Sequence, residues 1–144
     1  MSNTYIPRSL RLSVAERSGY RCSYCQTAQE LTGAEFTIGH IVPESLGGAT
    51  TEDNLCLSCW LCNAVKNDRI AGIDPESGLM TPLYNPYTQR WTEHFYWVED
   101  GLSIVGLTPT GRATVNAIKL NRPSLVISRR LWVGAGWHPP RDEA

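Results

Sequence analysis

The sequence predicts an α+β fold, with a small strand–loop–strand–helix core followed by a C-terminal hairpin and helical extension. Three observations carry this. Two C-x-x-C pairs, Cys22-Ser-Tyr-Cys25 and Cys59-Trp-Leu-Cys62, bracket residues 26–58. Between them, residues 35–42 alternate in the manner of a half-buried strand, with Phe36, Ile38, His40 and Val42 on one side. Beyond residue 94, two β-rich runs flank Glu99-Asp100-Gly101, and Asp-Gly is a strong hairpin signal.

Taken in order, residues 7–19 suit a short helix with Leu10, Val14 and Leu12 as its apolar side and Gly19 as its stop. The first C-x-x-C then sits on a turn, where thiolates can converge on one ion. The strand over 35–42 ends at Pro43. A loop rich in Gly and Thr fills 45–54, and residues 54–58 return as a second short strand. Residues 59–68 form a helix that gathers Asn63, Lys66 and Asn67 at i, i+3 and i+4. Residues 74–78 are a turn cluster and 83–86 read as irregular. The hairpin pairs 95–98 with 103–107. A helix over 110–120 carries Ala113, Ala117 and Leu120 as one stripe, and Pro123 opens a last helix running to about Trp132. The expected division is a core over 1–72 and an extension over 73–144 that packs on it.

Composition sets outer limits. The chain has 144 residues, 42% hydrophobic and 19% charged, which suits one globular domain or one domain with an extension. No run of about 18 apolar residues occurs, so no membrane span is expected. The opening residues 1–11 have no apolar stretch of a secretory leader, so a cytoplasmic location is expected. In that compartment paired C-x-x-C motifs favour a metal over disulfides. Cys22, Cys25, Cys59 and Cys62 therefore read as one structural zinc site with four thiolates. Cys56 remains over, and reads as a small buried apolar residue.

Net charge is −1, but its distribution is uneven. From residue 101 to 141 no acid occurs, while Arg112, Lys119, Arg122, Arg129, Arg130 and Arg141 do. Such a stretch can neutralise phosphates, or can form a solvated face beside an acidic surface. Lys66 and Arg69 carry the same two readings. The five tryptophans read as core, and His94 and His138 read as structural.

Hydrolysing a phosphodiester needs a base to activate water, a cation to stabilise the departing oxygen, and a frame that holds both. His40 suits the base, because imidazole titrates near neutrality. Asn63 offers a neutral oxygen to Mg²⁺ or Mn²⁺, or else caps its helix. Asn54 can fix the loop that carries His40.

Five segments then combine: Gly19-Tyr20-Arg21-Cys22-Ser23-Tyr24-Cys25, Gly39-His40-Ile41-Val42-Pro43, Ser45-Leu46-Gly47-Gly48, Asp53-Asn54-Leu55, and Cys59-Trp60-Leu61-Cys62-Asn63-Ala64-Val65-Lys66. In this order and spacing, over about residues 8–70, the chain resembles the HNH endonuclease family. The resemblance implies a ββα-metal fold, a structural zinc held by four cysteines and one catalytic divalent ion, with DNA as partner. It casts His40 as general base, Asn54 as orienting residue and Asn63 as metal ligand. Lys66, Arg69, Arg112, Arg129 and Arg130 are the expected nucleic-acid contacts. One position departs from the family. The residue before the base is usually a metal-binding Asp, Glu or His, and here it is Gly39. Glu35 is four strand residues away, about 13 Å at ~3.3 Å each, and Glu44 lies past Pro43. The alternative expectation is therefore an impaired module that keeps the fold and binds nucleic acid.

Overall fold

In a computed structural model describing residues 4–140, helix α1 (Arg8–Arg17) buries Val14 and Ala15. Leu12, expected on that side, is exposed. Pro7 precedes the first turn with φ fixed near the helical value, and Gly19 at φ 64° ends the run. The chain then makes a tight turn through the first cysteine pair. Gln26, at φ 63°, donates its N–H to Cys22 O at 2.9 Å and closes it. A short helix α2 (Gln29–Thr32) follows.

Strands β1 (Thr37–His40) and β2 (Leu55–Ser58) pair antiparallel, with Gly39 opposite Cys56 and His40 opposite Leu55. The loop between them holds two 3-10 turns, Glu44–Leu46 and Glu52–Asn54. All of β2 is buried, and β1 is half-buried. Helix α3 (Trp60–Lys66) starts immediately, and Cys59 is its N-cap, its sulfur accepting the Cys62 N–H at 3.4 Å. One sulfur thus both caps the helix and faces the metal site.

The expected turn at 74–78 is the tip of an additional hairpin. Strands β3 (Ala71–Ile73) and β4 (Met80–Pro82) pair antiparallel. Pro82 tolerates the edge of this two-stranded sheet, but it hides the strand in the sequence. Residue 72, the expected boundary, lies within β3. After a short helix α4 (Trp91–His94), strands β5 (Phe95–Val98) and β6 (Ser103–Gly106) form the expected hairpin. Helices α5 (Pro109–Ile118) and α6 (Pro123–Gly134) complete the fold, each opened by its proline. Thr108 caps α5 by accepting the Gly111 N–H at 3.0 Å.

The β1–β2 and β5–β6 sheets share one buried cluster, and the β3–β4 hairpin packs on α5 beside it. It runs from Ala15, Tyr24, Leu57 and Cys62 to Phe95, Ile104, Ala117, Ile118, Leu120 and Leu125. Polar ties also join the two halves. The Trp91 indole N–H donates to Tyr24 O at 2.8 Å, and Arg69 donates to Ala117 O at 3.3 Å. Trp91, Trp97 and Trp132 pack on the core as expected, but Trp60 and Trp137 are exposed. Cys56 is buried, as expected. His94 and His138 are structural, bonding Thr108 Oγ1 at 2.7 Å and Gly101 O at 3.0 Å. Among the described residues, no helix is long and apolar enough to cross a membrane.

Candidate active site

The four sulfurs of Cys22, Cys25, Cys59 and Cys62 lie within 4.8 Å of one another, with Cys25 and Cys59 at 3.9 Å. Ligands at ~2.3 Å in a tetrahedron stand about 3.8 Å apart, so the quartet fits zinc. Burial, then the neighbouring sulfurs, pushes the Cys22 thiol well above its ordinary range. Hydrogen bonds from Cys22, Cys59 and Cys62 hold Cys25 well below its own. Four sulfurs thus compete for negative charge in a dry site, and a dication removes that conflict. Sequence reasoning missed Arg122, which stands over the cluster. Its guanidinium donates to Cys62 Sγ at 3.6 Å and to Cys59 Sγ at 3.8 Å. No signal in the sequence separated Arg122 from its basic neighbours, because the contact depends on the α5–α6 turn.

His40 closes β1. Its Nε2 lies 2.9 Å from Thr50 Oγ1 and 3.8 Å from Glu44 Oε1. These neighbours leave the side chain 8% exposed. Asn54 does not act on the ring. Its amide nitrogen donates to Val42 O at 2.9 Å and to Ala49 O at 2.8 Å, and its oxygen accepts the Val42 N–H at 2.9 Å. It thereby clamps the segment after His40 onto the loop. Gly48 makes room for that clamp, since a β-carbon there would meet Val42 O at 1.8 Å.

Asn63 projects from α3 onto β1. A β-carbon at Gly39 would stand 2.6 Å from Asn63 Oδ1. The carboxamide oxygen therefore lies against the backbone where a side chain before His40 would begin. A larger residue at 39 would meet only the tip of that amide closely, so the Asn63 side chain rather than the helix would have to move.

Residues 22–69 match the family model described as HNH endonuclease. Over that third of the chain the protein is similar to the HNH endonuclease family. No curated protein and no solved structure matches the chain.

Within the matched segment few side chains are placed to hold a second ion. Among the described residues, the four cysteines are the one cluster of three or more His, Cys, Asp or Glu arranged for an ion. Asn63 Oδ1 is the one side-chain oxygen of the expected ligand set on the Gly39 side.

The expected nucleic-acid contacts need correction. Lys66, in the HNH segment, is buried and donates to His40 O at 3.3 Å and Ile41 O at 3.0 Å. Burial lowers its pKa. It supports the backbone under His40 and cannot reach a phosphate in this fold. Arg129 is fully buried, donating to Leu120 O, Leu102 O and Asn121 Oδ1. Burial brings its pKa down to about 10. It ties α6 to the loops beneath it. Arg112 forms a two-point ion pair with Asp74 at 2.9 and 3.0 Å and approaches Glu76 at 3.2 Å. That pair neutralises it and holds the Asp74 carboxyl far below the usual range. Arg69 and Arg130 are exposed. Arg141 lies outside the described residues. Arg112, Arg122 and Arg129 of the basic stretch beyond residue 101 are therefore engaged within the fold, whereas Lys119 and Arg130 are exposed. The acid-free run of cations in the sequence carries no signal for this, since burial of an arginine is a tertiary event.

Proposed function

We propose that the chain is a zinc-stapled endonuclease that hydrolyses DNA phosphodiesters with a divalent ion, using His40 as the general base. The single observation that carries this reading is the approach of Asn63 Oδ1 to Gly39, the neighbour of His40, within a matched HNH segment. An oxygen donor from α3 then stands where the strand lacks one. A bound Mg²⁺ or Mn²⁺ would supply charge stabilisation for the leaving oxygen, with Asn63 as its protein ligand. One amide oxygen holds such an ion weakly, so activity is expected to need millimolar metal.

The protein's own part is positional. Lys66 and Asn54 fix the backbone from His40 to Val42. With Nε2 unprotonated, the Thr50 hydroxyl can donate to it. An attacking water must replace that hydroxyl, so residues 44–50 must shift when substrate engages. Glu44 Oε1 would then face the positive ring formed when His40 takes a proton. Four cysteines gathered for a metal rather than paired as disulfides suit a cytoplasmic setting. Residues 73–144 serve as an extension that braces the zinc cluster through Arg122.

The test is cleavage of supercoiled plasmid with Mg²⁺ or Mn²⁺, wild type beside His40→Ala. Loss of about 10²–10⁴-fold in rate is expected. Equal rates would remove His40 from the reaction. A second reading, a nucleic-acid-binding module with impaired cleavage, is favoured by the missing carboxylate at Gly39 and the screened His40 ring. It predicts a retarded band on a gel and no product with either metal.

A further inference from the structure

A groove of about 290 Å³ runs between α1 and β1, and none of the expected contacts lies in it. Arg8 and Arg11 line it from α1, Tyr5 and Tyr20 stand at its walls, and Ile38 is in its floor. Arg8 and Arg11 are three residues apart and share one face of the helix. Both are exposed, and among the described residues neither guanidinium makes an ion pair or a side-chain hydrogen bond. This sets them apart from Arg17, Arg112, Arg122 and Arg129, whose guanidiniums are engaged by backbone, carboxylate or sulfur. Tyr5 is 80% exposed and Tyr20 39%, so both rings offer faces to a ligand. Glu35 is the one acid in the lining.

The groove leads to His40 by two routes. Ile38 and His40 lie on the same side of β1, because successive strand residues alternate. Thr4, next to Tyr5, donates to Glu44 Oε2 at 2.6 Å, and the other oxygen of Glu44 is the one 3.8 Å from His40 Nε2. A polymer lying in the groove therefore arrives at the screen over the ring.

Unpaired cations interleaved with exposed aromatics form the pattern that holds single-stranded nucleic acid, with phosphates on the cations and bases on the rings. We propose that the α1–β1 groove binds a single-stranded stretch of DNA, with Arg8 and Arg11 on its phosphates and Tyr5 and Tyr20 against its bases. This rests on the endonuclease reading and adds the strand path and the substrate form to it.

The experiment measures anisotropy of a labelled single-stranded oligonucleotide in the His40→Ala background without added divalent ion. Circular dichroism and zinc content establish that each variant is folded. Arg8→Ala/Arg11→Ala is expected to weaken binding ten- to hundredfold, and to flatten the log–log salt dependence by about 1.4, two phosphates at ~0.7 each. Tyr5→Ala and Tyr20→Ala should each weaken it several-fold with the salt slope unchanged. Arg90→Ala, an exposed arginine outside the groove, should leave affinity as it is. An unchanged affinity and slope in the double arginine variant would overturn the groove, and cleavage by the parent chain would leave the nuclease reading standing. Preference for duplex over single strand would overturn the stacking role. A parent chain that neither binds nor cleaves any DNA would remove both readings together.

Discussion

Arg122 donates both terminal nitrogens of its guanidinium to Cys62 Sγ, each at 3.6 Å. A zinc ion with four thiolates carries two net negative charges, and this cation lies against them in a half-buried setting. Outer partners of metal ligands commonly account for 10- to 100-fold in affinity. Arg122→Ala is therefore expected to speed zinc loss to a chromophoric chelator by about that factor, with Arg122→Lys intermediate because an ammonium keeps the charge but not the fork. Identical release rates in all three would show that the sulfurs do not need the contact.

The ion itself should decide whether the first half is ordered. Structural zinc contributes on the order of 10–16 kcal/mol of apparent binding free energy. Net folding stability is usually about 5–15 kcal/mol. Cys22→Ser and Cys59→Ser should each lose zinc and open residues 20–65 to protease. Because Cys22 and Cys62 belong to the shared core, the extension should loosen as well. Limited proteolysis with mass spectrometry reads both effects.

The zinc cluster, the ββα order and the C-terminal hairpin were legible because each is written in local spacing. C-x-x-C pairs, alternation and Asp-Gly need no knowledge of distant residues. The hydrogen bonding of Asn54 across its loop was legible for the same reason, since its partners Val42 and Ala49 lie within one loop. Lys66 and Arg129 were misread because sequence shows a charge but not its depth. Both satisfy backbone carbonyls that the chain brings from elsewhere, Lys66 under His40 and Arg129 under Leu120. The β3–β4 hairpin was missed because Ala-Gly-Ile and Met-Thr-Pro have no strand pattern of their own, and pairing depends on the Asp74 turn and on α5 packing against both strands.

Restoring a carboxylate before His40 tests the metal site directly. Gly39→Asp introduces a β-carbon 2.6 Å from Asn63 Oδ1, so the amide must swing aside. The far end of a side chain can do so without moving the helix. The new carboxylate should tighten Mn²⁺ binding by about tenfold or more, since a charged oxygen ligand adds to a neutral one. Gly39→Ala keeps the collision and adds no ligand, so it should lower stability by about 1 kcal/mol, within the usual range for overpacking. Electron paramagnetic titration of Mn²⁺ distinguishes the two variants. Equal affinities in wild type and Gly39→Asp would mean that the ion is held by groups away from Gly39.

His138 provides a pH dependence remote from the HNH segment. Its ring is buried against Trp97, with centroids 4.6 Å apart, and its Nε2 bonds Gly101 O at 3.0 Å. Burial, the largest cause, lowers its pKa from the ordinary 6.5. The unfolded chain then binds a proton that the folded chain refuses, between the folded value and 6.5. Unfolded protons exceed folded ones in that window, so stability rises with pH there. The contribution is fully present above about pH 6.5 and declines as pH falls through the folded value. The melting temperature of wild type should drop between pH 7 and pH 5 more steeply than that of His138→Gln, which keeps an N–H donor without titrating. Carboxylates such as Asp74 act at lower pH and are common to both proteins, so the difference between the two curves isolates the histidine. Parallel curves over that interval would show that the ring takes up its proton equally well in the folded chain.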